Sequence, residues 1–411
     1  MQKATFLSYL NGILVMFMTF MYSLLLMAPA PVMLTIVETS NWNLGQVGML
    51  ISIIFLVVAV FALVGSVIIN KIGAKWTAVI SLALAAIGSM MAFFSGDSFA
   101  LHLLGRVIVG VSWGIFVPLA PVVIAQWFPQ RQHAAWMGAR SALDYLGVAA
   151  TFYITLPILS FVNNWQAVFG VYGIFMAVLC VIYILFARDP KRSGKDDAVE
   201  QAEGRSEKSN ILRVIKNKTI ILLTISVAGF AVGGNAFLEY EAAYLQIVHS
   251  YSEADAANVT GMMTIVAVIS SIISGAIMIV LKRKKLLAIS FIILMIVGAL
   301  GVYCIDNSNA IIAFTIIFGI GFAGFNVYYA VKILDISNEP SFVGTAMALV
   351  FAAAWLLAFF IPIVLQGLLD LGMSMQIVMV IFLVPLIVSI IAIMLMDETG
   401  KKVTAEVKKT A

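Results

Sequence analysis

Long uncharged runs alternate with short charged intervals along this chain. No Asp, Glu, Lys or Arg occurs within 46–70, 76–96, 107–130, 145–187, 256–281 or 371–396. A helix crossing the hydrocarbon core of a bilayer needs about 20 apolar residues, so each run accommodates one crossing and 145–187 most of two. Reading the whole chain in this way predicts twelve transmembrane helices. The first six lie near 7–37, 46–69, 76–95, 99–128, 134–160 and 165–187. The second six lie near 219–248, 259–281, 286–305, 309–334, 343–367 and 373–396. Composition agrees: 63% of residues are hydrophobic and 11% charged, where soluble domains carry about a quarter charged. The expected class is an all-α membrane protein.

The basic residues orient it. With alternating crossings and both termini cytoplasmic, 22 of the 24 Lys and Arg residues fall in the inner segments, and the outer loops hold none. The two others, Arg106 and Arg140, lie within hydrophobic segments. This asymmetry is the positive-inside rule. The first apolar stretch is too long for a secretory signal. Both cysteines, Cys180 and Cys304, fall inside helices, which argues against a disulfide framework. No metal-ligand spacing, nucleotide loop or nucleophile motif is present, so neither an enzyme, a metal site nor a cofactor is expected. The net charge of +4 reflects inner loops facing anionic lipid and carries no nucleic-acid footprint.

Residues 188–218 are polar and mixed in sign, as expected of a solvated cytoplasmic linker. They separate an N-terminal six-helix half, 1–187, from a C-terminal half with a short tail, 219–411. The halves resemble diverged copies. Gly138 and Pro157 match Gly344 and Pro362 at offsets of 206 and 205, and Gly48 and Lys71 match Gly261 and Arg283 at 213 and 212. Such repeats form substrate sites near the midplane between halves.

Between helices 2 and 3 stands "SVIINKIGAK", in register with the G-x-x-x-D-R-x-G-R-K hallmark of the major facilitator superfamily, which the chain resembles over essentially its whole length. Gly73 is kept, whereas Asn70 replaces the aspartate. In that family this loop latches helices on the cytoplasmic face, so the resemblance implies a conformational gate at Asn70, Lys71, Gly73 and Lys75. "RVIVG", Arg106 to Gly110, resembles the family's helix 4 motif. "WFP" and "WQAVF" resemble elements of its oxalate–formate, nitrate and anion:cation symporter branches. The antiporter signature of helix 5 is replaced by "RSALDYLG".

Ionisable groups inside a membrane helix cost roughly 2.5–3.5 kcal/mol each on insertion scales, and they face a partner or a cavity. Asp144 lies about 15 Å into helix 5 at 1.5 Å per residue, near the midplane. It is the candidate proton-coupling group, with a permanent pair to Arg140 or Arg106 as the plain alternative. Arg140 is its candidate charge partner, and its long stem also lets it reach the headgroups. Arg106 is on helix 4, which the resemblance places along the cavity, and a guanidinium binds carboxylates bidentately. It is therefore the candidate substrate-anion contact. Tyr22, Asn235, Asn326 and Tyr329 are further substrate-binding candidates on helices 1, 7 and 10. Glu239 and Glu241 sit near the outer mouth, about 200° apart on their helix. Solvation at the interface is the default for both, and Glu239 is a second proton site if it faces inward. Interface residence is likewise the default for His102, His133 and His249.

The expected function is secondary active transport by alternating access, with a small organic anion, a carboxylate, moved together with H⁺. A proton-coupled exporter of drugs or organic cations and a non-transporting membrane sensor are the alternatives. The expected setting is a bacterial inner or plasma membrane, with the chain monomeric and partnered only by substrate, coupling ion and lipid.

Overall fold

The computed structural model describes residues 6–188, 213–281, 283–336 and 340–397. Most of the expected linker and the lysine-rich tail lie outside the described residues. All regular structure described is helical, and twelve helical stretches are long and apolar enough to cross a membrane. In chain order the helices of the first half are α1 (Phe6–Leu26), α2 (Met33–Ser40), α3 (Leu44–Phe93), α4 (Phe99–Phe116), α5 (Leu119–Trp127), α6 (Gln130–Val162) and α7 (Trp165–Phe186). Those of the second half are α8 (Lys218–His249), α9 (Glu253–Val280), α10 (Lys284–Cys304), α11 (Ser308–Ile336), α12 (Pro340–Ala358), α13 (Ile361–Asp370), α14 (Met375–Ile381) and α15 (Val384–Leu395).

Local chemistry sets several of these ends. Asn43 and Gln46 form a reciprocal capping box at the start of α3, which supplies partners for two otherwise orphaned backbone donors. The Asn164 side chain caps α7, accepting from the Gln166 and Ala167 amides. Asn217 does the same for α8 at Thr219 and Ile220.

Hydropathy reads straight through breaks that the backbone makes. The first crossing ends at Leu26, and α2 begins only at Met33. Pro29 and Pro31 lie in the gap, and a proline has no N–H to return to the carbonyl four residues earlier. The fourth segment parts at Val117 and Pro118, and the eleventh at Phe359 and Phe360. Conversely, the second and third crossings run on as one helical element, α3, bent at Gly73 with φ 83° and ψ 167°. That backbone conformation is open essentially to glycine alone.

The compact units do not follow the two halves of the chain. One comprises Met1–Pro190, Leu238–Ile265 and Phe359–Met375. The other comprises Lys191–Phe237, Val266–Ala358 and Gln376–Ala411. The first unit thus combines α1–α7 with the C-terminal end of α8, the first part of α9 and the whole of α13. In the second unit, Lys284 pairs with Asp335 at 2.8 Å, and Lys285 donates to the Met396 carbonyl at 2.9 Å. These contacts tie the linker-side ends of α10, α11 and α15 together.

Candidate functional site

In the first unit, the largest fully buried side chain is Arg106. Its Nη1 donates to the Leu25 carbonyl at 2.8 Å, its Nη2 to Leu26 at 2.6 Å and its Nε to Leu50 at 2.6 Å. The reason lies in the broken first crossing. Position 29 is proline, so Leu25 has no helical donor, and the amide of Ala30 turns to Met27 instead of Leu26. Two orphaned carbonyls result in a buried place, and Arg106 satisfies both while its guanidinium lies 5.9 Å from the Phe169 ring. Arg106, expected as the substrate-anion contact, here secures the end of α1, with its donors on three backbone carbonyls. The alternative pairing of Arg106 with Asp144 is not formed.

Tyr22, another expected substrate contact, is likewise engaged within the protein. Its hydroxyl is shared between Ser81 and Ser112 in the interior of the first unit, and its ring stacks on Phe116 at 4.8 Å. His102, expected at the interface, is fully buried in an aromatic box. Trp42, Trp165 and Phe169 lie 5.8, 5.2 and 4.7 Å from its ring.

Asp144 occupies different ground. It is part-buried on α6 and accepts from the Ser23 hydroxyl of α1 at 2.7 Å. Arg140, one turn earlier on the same face, is the charged group whose field reaches it. The two do not close to ion-pair distance, and the buried Arg140 Nε meets no acceptor among the described residues.

At the face opposite the linker, Glu239 and Glu241 are 1% and 0% exposed. Solvation there, the sequence default, is corrected. Both Glu239 oxygens sit near the Ser52 hydroxyl, at 3.3 and 3.4 Å. The approach of α8 to α3 depends on Gly48: a Cβ there would lie 1.7 Å from the Tyr240 hydroxyl and 2.8 Å from Glu239. Thr35 donates to Glu253 at 2.6 Å, and the Gly45 amide to Gln366 at 3.0 Å. Together these contacts close that face of the unit. Gly48 and Ser52, one helical turn apart, are the small-residue signal from which the contact was readable.

The residues expected to form a gate loop lie at the opposite end. Lys75 donates to the Ile184 carbonyl of α7 at 2.8 Å, and Gly73 supplies the bend. Lys71 is exposed, and the Asn70 side chain lies outside those described.

In the second unit, Asn235 donates back to Ala231 at 2.7 Å. Asn326 and Tyr329 are brought together, the hydroxyl donating to Asn326 at 2.7 Å, and Tyr329 meets Phe351 edge-on at 5.4 Å. Asn235 and Asn326 remain part-buried.

Known proteins give this geometry a context. The model of the family described as Major Facilitator Superfamily matches residues 15–326. Among curated proteins, the chain is 24% identical over 156 residues to probable anion transporter 5 of Arabidopsis thaliana, covering 38% of this chain and 36% of the relative. It is 28% identical over 128 residues to a triacylglyceride transporter of Mycolicibacterium smegmatis, covering 31% and 22%. The matches thus span about a third or less of these relatives' length. The fold is similar to a bacterial homolog of the human lysosomal transporter Spinster, in an inward-facing and occupied conformation. That likeness has TM-score 0.77 at 16% identity, over 96% of this chain and 97% of the other. A D-xylose–proton symporter matches with TM-score 0.75 at 15% identity, over 95% and 98%.

Proposed function

We propose that this chain, which belongs to the major facilitator superfamily, is a secondary active transporter that moves a small organic anion together with protons by alternating access. The observation that carries the reading is Asp144, a part-buried intramembrane carboxylate held by one serine hydroxyl and left unpaired by its neighbouring arginine. A carboxylate so placed is costly unless it takes up a proton or a partner during the cycle.

Alternating access needs each face of the protein to close in turn. The packing of Gly48, Ser52, Glu239 and Tyr240 supports the idea that the face opposite the linker is one such gate. Glu239 is then the second proton site: it is fully buried while the gate is closed, and separation of α8 from α3 hydrates it. The loop at Asn70, Lys71, Gly73 and Lys75 is the corresponding latch on the linker face, with Lys75 as its anchor to α7.

The anion preference is supported by the plant anion transporter among the relatives. A neutral sugar is the second reading. It is favoured by a match to a probable plastidic glucose transporter of Arabidopsis thaliana, 28% identical over 119 residues, and by the uncharged set Asn235, Asn326 and Tyr329. Cell-membrane placement, bacterial origin and a monomeric state belong to the same proposal. The relatives come from plants and mammals as well as a mycobacterium.

Reconstitution into liposomes tests the function. An inward proton gradient is expected to drive accumulation of a labelled monocarboxylate, and Asp144→Asn to abolish gradient-driven accumulation. Accumulation of sugars alone overturns the anion reading, and uptake indifferent to the gradient overturns proton coupling.

A further inference from the structure

Two arginines lie within the crossings of the first half, and their surroundings are opposite. Arg106 holds three carbonyls at 2.6–2.8 Å and is 1% exposed. Arg140 is part-exposed, and its Nε is a buried donor with no acceptor among the described residues. A buried unsatisfied donor is costly, and the nearest negative charge does not relieve it. Asp144, four residues on and therefore on the same helical face, takes the Ser23 hydroxyl at 2.7 Å instead.

Among the described residues, no other charged side chain bonds to Asp144 or to the Arg140 Nε. The helices with most contact to α6 are α1, α5 and α7, and none contains Asp, Glu, Lys or Arg. Their titratable groups are Tyr9 and Tyr22 on α1 and Tyr172, Cys180 and Tyr183 on α7. The start of α9 also meets α6, the Tyr153 hydroxyl donating to the Asn258 carbonyl at 3.4 Å; its carboxylates Glu253 and Asp255 accept from the Thr35 and Ser252 hydroxyls. Tyr22 is held by two serines, and Tyr172 meets Thr155 of α6 at 2.6 Å. On α6 itself, Tyr145 and Tyr153 are the other titratable groups within the crossing. His133, near its start, is bonded to the Phe128 carbonyl at 2.8 Å. Among the described residues of this unit, Arg140 is thus the one cation beside Asp144.

We propose that Arg140 and Asp144 form a joint site for one monocarboxylate anion and one proton, the guanidinium receiving the anion and the carboxyl the proton. This rests on the transporter reading above and moves the anion contact from Arg106 to Arg140. Charge balance requires the pairing. In the empty site the guanidinium and carboxylate sum to zero. An anion bound alone leaves a net negative charge within the membrane, and a proton bound alone leaves a net positive one, both costly. Anion and proton together restore zero. Asp144 takes its proton from water at a carboxylate oxygen, no covalent bond to the substrate forms, and the loaded site is electroneutral at one proton per anion. The guanidinium has the planar fork that a carboxylate fits.

The test uses the full chain in lipid nanodiscs with formate, acetate, lactate and benzoate as probes. Binding and proton uptake are followed by calorimetry across pH in buffers of different ionisation enthalpy. At least one probe is expected to bind wild type with about tenfold higher affinity per unit fall in pH, where Asp144 is ionised in the empty site, and with uptake of one proton. Arg140→Gln is expected to lose at least tenfold in affinity. Arg140→Lys, which keeps the charge without the fork, is expected to bind more weakly with the pH slope retained. Asp144→Asn is expected to bind the anion with no pH slope and no proton uptake. Thermal melting of each unliganded variant identifies any that fail to fold, and Arg140→Lys then carries the test for Arg140→Gln. Binding that keeps its affinity in a folded Arg140 variant, or its pH slope in Asp144→Asn, overturns the joint site while leaving the anion transporter standing. Failure of all four probes to bind overturns the anion reading itself, and the joint site with it.

Discussion

The guanidinium of Arg106 donates to the carbonyl of Leu25 across 2.8 Å, in place of the backbone donor that Pro29 cannot supply. The same side chain reaches Leu26 and Leu50, so one residue of α4 holds the end of α1 and a turn of α3. An arginine in a membrane helix of a transporter invites a substrate role. Here the local backbone already claims it.

Arg106→Gln is therefore expected to act on stability first. Glutamine cannot meet three acceptors, and each buried group left unsatisfied costs about 1–3 kcal/mol. A fall of several degrees in the melting temperature of the detergent-purified protein is expected, with reduced expression. An unchanged melting temperature combined with loss of anion binding would falsify the capping role.

Gly48 is expected to be the residue least tolerant of a side chain at the closed face. Even alanine there places its Cβ within 1.7 Å of the Tyr240 hydroxyl, a distance no real contact shows. Gly48→Ala should hold the gate open, so that a cysteine introduced at Ser52 becomes reactive to a membrane-impermeant maleimide. Adding Tyr240→Ala should restore protection. Protection of that cysteine in the single variant would show that the helices separate without cost.

Glu239→Gln separates gating from coupling. Glutamine keeps the shape and can still accept from Ser52, so the closed packing should survive. It carries no exchangeable proton on an ionising carboxyl. Exchange of substrate against substrate in liposomes should continue at near wild-type rates, while accumulation driven by a proton gradient falls at least tenfold. Equal loss of both activities would assign Glu239 to packing alone.

Gly73→Ala tests the bend in α3. At φ 83° an alanine is strained, and backbone conformations of this kind cost about 1–3 kcal/mol outside glycine. Lower thermal stability is expected, together with a weaker hold of Lys75 on the Ile184 carbonyl. Faster labelling of a cysteine placed at Ile184 reports that loosening. Unaltered labelling would leave the bend without a part in the latch.

The readable part of the candidate site was the part set by depth alone. Asp144 announced itself because a short carboxylate far from either headgroup layer has few places to go. Arg140 was recognised as its charged neighbour, but the missing ion pair was not foreseeable, because it depends on where Ser23 of α1 points. Helix position near the mouth points to solvation of Glu239 and Glu241, yet both are buried, and Glu239 meets Ser52 of α3, nearly 190 residues away in sequence. His102 was misread for a similar reason: its box is built from Trp42 and Trp165, on other elements.

By itself, the sequence determined the number of crossings and where along the chain they fall. Those properties follow from the hydrocarbon core acting as solvent, and each helix answers to it residue by residue. Tertiary structure alone decided what each buried polar group does, because lipid offers no hydrogen bonds and every partner must come from another part of the fold. The broken first crossing shows the division. Hydropathy reads 7–37 as one crossing, whereas Pro29 and Pro31 break it, and Arg106, some 75 residues later, meets the carbonyls that the break leaves bare.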